Sequence, residues 1–107
     1  LSSGYNLGDV VLVQFPFSDN PQKSKLRPAV IIEINDIPLF LLVQITGTNK
    51  TGKCEGRWVI STADDGQMMG LLKDSFLNYS NFVELPIEFI YRKIGVCPYI
   101  EEIKRYL

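Results

Sequence analysis

Arg27 stands before a proline, and that pairing opens the chemistry of this 107-residue sequence. Pro28 holds Arg27 in an extended backbone. The guanidinium is therefore fixed where a polar stretch, residues 17–26, gives way to an apolar strand. A fixed guanidinium can grip a phosphate through two parallel hydrogen bonds; the plainer alternative is a solvated arginine at a strand start. Thr46 closes another apolar run and is followed by Gly47. Its hydroxyl can cap backbone there, or face the Arg27 loop as a phosphate partner. Lys73-Asp74-Ser75 follows Gly70-Leu-Leu and, taken alone, reads as an exposed turn. Asp64, Asp65 and Asp74 lack the spacing of a calcium loop and read as solvated carboxylates. Phe17 can stack on a base from its loop. Phe15, Phe40, Trp58, Phe76 and Phe82 read as core.

Composition limits what these groups can do. The chain has no histidine and two cysteines, so no Ser-His-Asp or Cys-His unit can be assembled. Imidazole-ligated and cysteine-rich zinc sites are excluded as well. The net charge is −1, which argues against a general nucleic-acid coat. Yet residues 20–57 carry six basic residues (Lys23, Lys25, Arg27, Lys50, Lys53, Arg57) against three acidic ones, and residues 58–107 carry five against seven. A basic patch on a mildly acidic protein is one outcome; two solvated loops are the other. The longest apolar run, residues 37–43, falls far short of the ~20 residues of a membrane span. With no basic, apolar leader at its start and no CxxC pair, the chain is expected in the cytoplasm, with Cys54 and Cys97 as reduced thiols. One domain is expected over 1–107, with residues 1–6 outside the fold.

The elements that must position these groups are mostly strands. Residues 9–15 are β-branched and apolar on both faces, as in a central strand. Residues 29–34 and 38–46, separated by Asn35-Asp36, read as antiparallel neighbours. A second loop spans 47–56 and a short strand 57–61. Asp64-Asp65-Gly66 reads as a turn, and 68–72 as one helical turn. Two further strands follow at 75–79 and 81–85, with a break between them. A turn of helix is expected in 86–91. Pro98 suits the first position of a C-terminal helix, where Tyr99, Ile100, Ile103, Tyr106 and Leu107 form one stripe. The expected fold is mainly β: five or six short strands and one or two short helices, bent into a small barrel or sandwich with the C-terminal helix packed on it.

Taken in order, Gly8-Asp9-Val-Val-Leu-Val-Gln-Phe-Pro-Phe-Ser-Asp19, a polar loop, then Lys25-Leu-Arg-Pro-Ala-Val-Ile-Ile32 resembles the opening of the MazF/PemK-type toxins of toxin–antitoxin systems. Val43-Gln-Ile-Thr46 is similar to that family's second motif, Gly70-Leu-Leu-Lys-Asp-Ser75 to its third, and Ile94-Gly95 before a short helix to its tail. The resemblance covers residues 8–107. It implies a small, mainly β SH3-like barrel of five to seven strands with short helices, one of them C-terminal, usually a homodimer, that cleaves single-stranded RNA without a metal or other cofactor. In that reaction the ribose 2′-hydroxyl attacks the adjacent phosphate, leaving a cyclic phosphate and a free 5′-hydroxyl. The resemblance places Arg27 at the phosphorane charge and Thr46 on the scissile phosphate. Lys23, Lys25, Lys73 and Ser75 would contact RNA, and a cognate antitoxin would cover the loops at 17–26 and 47–56. The chain departs from many members in its Pro21-containing loop, in the absence of histidine and in Ser75. Two alternatives share the fold: a non-catalytic toxin acting by protein contact, like the CcdB-type gyrase poisons, and an inactive toxin-like domain.

Overall fold

The computed structural model describes residues 4–14, 26–35 and 39–107. Its strands are β1 (Asp9–Gln14), β2 (Leu26–Ile34), β3 (Leu39–Thr46), β4 (Gly56–Val59), β5 (Ser75–Pro86) and β6 (Ile90–Val96). They form one antiparallel sheet in the order β4-β5-β3-β2-β1-β6. Two short helices, α1 (Asp64–Met68) and α2 (Ile100–Lys104), complete it.

Both faces of the central strands are apolar, and both are buried. Val10 on β1, Val30 on β2 and Val43 on β3 lie side by side and join one core cluster with Leu77, Met69 and Ile103. The alternate residues Val11, Val13, Ile31, Leu42 and Phe40 build a second cluster on the opposite face. Met69 beside α1 and Ile103 of α2 help to cover the first face, and β5 serves both clusters. Its Leu77 and Tyr79 enter the first cluster and its Leu85 the second. Between them the β3 register jumps from Val43 opposite Phe82 to Ile45 opposite Leu77. The extra residues form a bulge, which bends the strand and increases its twist. Each fully buried side chain of this kind contributes roughly 1.5–3 kcal/mol, so the two clusters dominate stability.

The mainly β class with short helices is thus what the protein adopts. Among the described residues the edge strands β4 and β6 do not pair with each other, so the sheet is curled and open rather than a closed barrel.

Several element boundaries differ from the sequence reading. Residues 64–66 are not a turn but the start of α1, and the helix lies earlier than 68–72. Asp64 and Asp65 favour its positive end. Gly66 is required by close packing, since a Cβ there would stand 2.1 Å from the Ile60 carbonyl oxygen. The helix ends in a Schellman motif: Leu71 N–H donates to Gly66 O, Gly70 N–H donates to Gln67 O, and Gly70 has φ of 72°. The break expected near residue 80 is instead the bulge within a continuous β5. A 3-10 turn fills Ile87–Phe89. The C-terminal helix is confined to Ile100–Lys104, with Pro98 and Tyr99 in the turn before it.

Candidate functional site

Antiparallel pairing brings the start of β2, the end of β3 and the start of β5 to one edge of the sheet. Arg27 is second in β2, Thr46 is last in β3 and Ser75 is first in β5. Lys73 lies just before β5. These four residues line one cleft of about 450 Å³. Lys23, Lys25 and Phe17, also expected at the site, lie outside the described residues.

Arg27 is exposed beside Val13 of β1, and among the described residues it makes no ion pair. Thr46 is half-buried, and its hydroxyl donates to Thr48 O at 3.3 Å. That is long for a hydroxyl bond, so a phosphate oxygen can replace the carbonyl as acceptor. Across β3 and β5, Thr46 pairs with Phe76, which pairs with Trp58 of β4. Two aromatic residues thus follow Thr46 across the sheet, and Phe76 is fully buried.

The Lys73-Asp74-Ser75 turn divides its labour. Asp74 Oδ1 accepts from Ser61 N–H at 2.9 Å and Ser61 Oγ at 3.0 Å, so this carboxylate is held to the α1 side. Ser75, only 3% exposed, donates to the Lys73 carbonyl at 2.9 Å. Its hydroxyl sits in the cleft wall and fixes the backbone of Lys73. The Lys73 ammonium is left toward the cleft, where a Cβ on Gly47 would stand 3.1 Å from Nζ. The glycine after Thr46 makes the room that the lysine occupies.

A second cleft of about 500 Å³ shares Leu26, Pro28, Lys73 and Ser75 with the first. Its far side is formed by Leu12 of β1, Ile94 and Arg92 of β6, and Leu72, which is fully exposed. Sequence reasoning missed this chamber, Arg92 included. Its walls meet through the β1–β6 pairing, Leu12 opposite Arg92, which local sequence does not announce. Gly70 seats the Leu72-Lys73 turn against β6, for a Cβ there would meet the Ile94 carbonyl oxygen at 2.1 Å. No aspartate or glutamate lines either cleft among the described residues, whereas Arg27, Lys73 and Arg92 do.

Other titratable groups gather at a different corner and are consumed there. Arg57 donates to Glu102 through Nε and Nη2, both at 2.9 Å, and stacks 4.4 Å from the Tyr99 ring centre. Tyr79 donates to the same carboxylate at 2.6 Å, and the Tyr99 hydroxyl donates to Asp65. The bonds from Arg57 and then Tyr79 draw the Glu102 carboxyl down to about 2. Burial, then the bond to Asp65, pushes Tyr99 up to about 12. Burial also raises the Cys97 thiol to about 11. These groups staple α2 to β4, β5 and α1.

An arrangement of cations without an ion pair and walls without a carboxylate among the described residues, with a replaceable hydroxyl contact, can bind and orient a phosphodiester. It offers charge stabilisation more than proton transfer, because a guanidinium stays protonated in proteins. Among the described residues no helix is long and apolar enough to cross a membrane. No family model matches the chain, and no curated protein matches it. Among solved structures the chain is similar to the Mycobacterium tuberculosis toxin MazF-mt6, with a TM-score of 0.63 and 20% identity over 89% of this chain and 86% of that one. The protein therefore has a MazF-type fold.

Proposed function

We propose that this protein is a metal-independent endoribonuclease toxin of a toxin–antitoxin system, acting on single-stranded RNA in the cytoplasm. The observation that carries this reading is the meeting of Arg27, Thr46, Lys73 and Ser75 in one cleft that no acid lines among the described residues, on a MazF-type fold. RNA brings its own nucleophile, the 2′-hydroxyl, so the missing histidine is no obstacle and no serine or cysteine nucleophile is required. Arg27 compensates the charge that develops on the phosphorane. Thr46 donates to a non-bridging oxygen, exchanging its Thr48 contact for the phosphate. Lys73 holds the neighbouring backbone, with Ser75 as its anchor. A preorganised donor of this kind is worth about 3–4 kcal/mol, or ~10²–10³ in rate. The cognate antitoxin and a second copy of the chain are the expected protein partners.

The test is incubation of the purified protein with a mixed RNA pool in EDTA, followed by mapping of fragment ends. Cyclic-phosphate ends that disappear with Arg27→Ala support the reading. Intact RNA at high protein concentration overturns it, and equal cutting by Arg27→Ala removes Arg27 from the site.

A further inference from the structure

The second cleft adds something the first does not need. It is mostly apolar, yet two cations line it: Lys73, shared with the first cleft, and Arg92. Arg92 is exposed and makes no ion pair among the described residues, while its neighbour Lys93 is neutralised by Asp9 at 3.2 Å. The same cleft is lined by Leu72, fully exposed in the turn that Gly70 seats on β6. In a chain of net charge −1, two joined chambers with three cations and no carboxylate among their described walls match a polyanion whose repeating unit also carries a flat apolar face.

Resting on the function proposed above, we infer that the second cleft holds the nucleotide next to the one cleaved, with Arg92 gripping its outer phosphate and Leu72, Pro28 and Ile94 against its base. Lys73 serves the phosphate between the two chambers. The chamber, at about 500 Å³, lies in the usual range for small-ligand sites. The apolar contact is indifferent to base identity, since it uses no hydrogen-bond pattern on the base edge. Arg92 is thereby a positioning residue: it fixes the strand's register over Arg27 without touching the reacting phosphate.

The probe is a fluorescent 2′-O-methyl hexanucleotide, which cannot be cleaved, titrated at several salt concentrations. Each phosphate contact on a single strand contributes about 0.7 to the slope of log affinity against log salt. Arg92→Gln is expected to weaken hexanucleotide binding about 5–10-fold and to make the slope shallower by ~0.7. The loss should be smaller for a dinucleotide. Leu72→Ser should weaken hexanucleotide binding with the slope kept, and Lys93→Gln should leave the slope unchanged. Thermal melts of each variant separate these effects from misfolding. Binding that depends on Arg27 but ignores Arg92 in both affinity and slope overturns the track while leaving the proposed function standing. Failure of the wild type to bind the hexanucleotide at low salt overturns both. If Arg92→Gln weakens capture of an acidic, leucine-rich test peptide but not of RNA, the chamber is a protein-docking site and the RNA track is wrong.

Discussion

Arg27 on the interior strand β2 and Arg57 on the edge strand β4 are the same side chain, and they live opposite lives. Arg57 has both arms on Glu102, with Tyr99 against its face and Tyr79 on the same carboxylate. Among the described residues Arg27 has no ion-pair partner and no carboxylate lines its cleft. A saturated cation adds to the fold; an unsatisfied one at a concave surface is available to a ligand. Counting basic residues along the chain places both arginines in one patch, and only the pairing pattern separates them.

The contrast breaks first at its strongest point. Arg27→Ala should lower RNA cleavage by ~10²–10³ or more while changing stability by less than about 0.5 kcal/mol, as for other exposed positions. Cleavage rates and denaturant melts on the same preparation check both halves. Arg57→Ala should do the reverse. Losing a half-exposed bidentate pair and a stacked cation costs about 1–2 kcal/mol, or a Tm lower by roughly 5–10 °C for a domain of this size. The specific activity of the folded fraction should be retained. A cleavage defect in Arg57→Ala that outlasts correction for unfolding would place that corner in the reaction.

The smallest effect is in acid. Glu102 is held at about 2 against an ordinary 4.5. A carboxyl with a lowered folded-state value lends stability above its unfolded value and loses it as pH falls through the folded one. Its contribution should therefore be intact above pH 4.5 and fade between about 4.5 and 2. Glu102 is partly exposed, so screening keeps the effect modest. Chemical denaturation across that window should show a flatter profile for Glu102→Gln than for the wild type.

The sequence made the strands legible because the residues in β1, β2 and β3 are apolar on both faces, a pattern that only a doubly covered sheet accommodates. It also made Arg27 legible through Pro28, which restricts backbone locally. The Asp64-Asp65-Gly66 stretch misled because glycine there answers to a neighbour, the Ile60 carbonyl, and not to its own turn. The bulge in β5 looked like a break because a break and a bulge both interrupt alternation. The family motif implies an RNA contact for Ser75, whereas its bond to the Lys73 carbonyl depends on the fold. Leu72 and Arg92 were out of reach altogether, since what joins them is the antiparallel pairing of β1 with β6 and the seating of Gly70 on Ile94.

The bent β5 has a consequence for how the molecule opens. One continuous strand supplies Leu77 to one cluster and Leu85 to the other. Neither half can shed its strand without straining the partner's ladder. Amide protons on the two sides of the bulge should therefore share a single opening free energy close to that of global unfolding, rather than reporting two separable units. The cleft edge is then carried by a scaffold that exchanges as one body, while the exposed Leu72-Lys73 turn exchanges ahead of it.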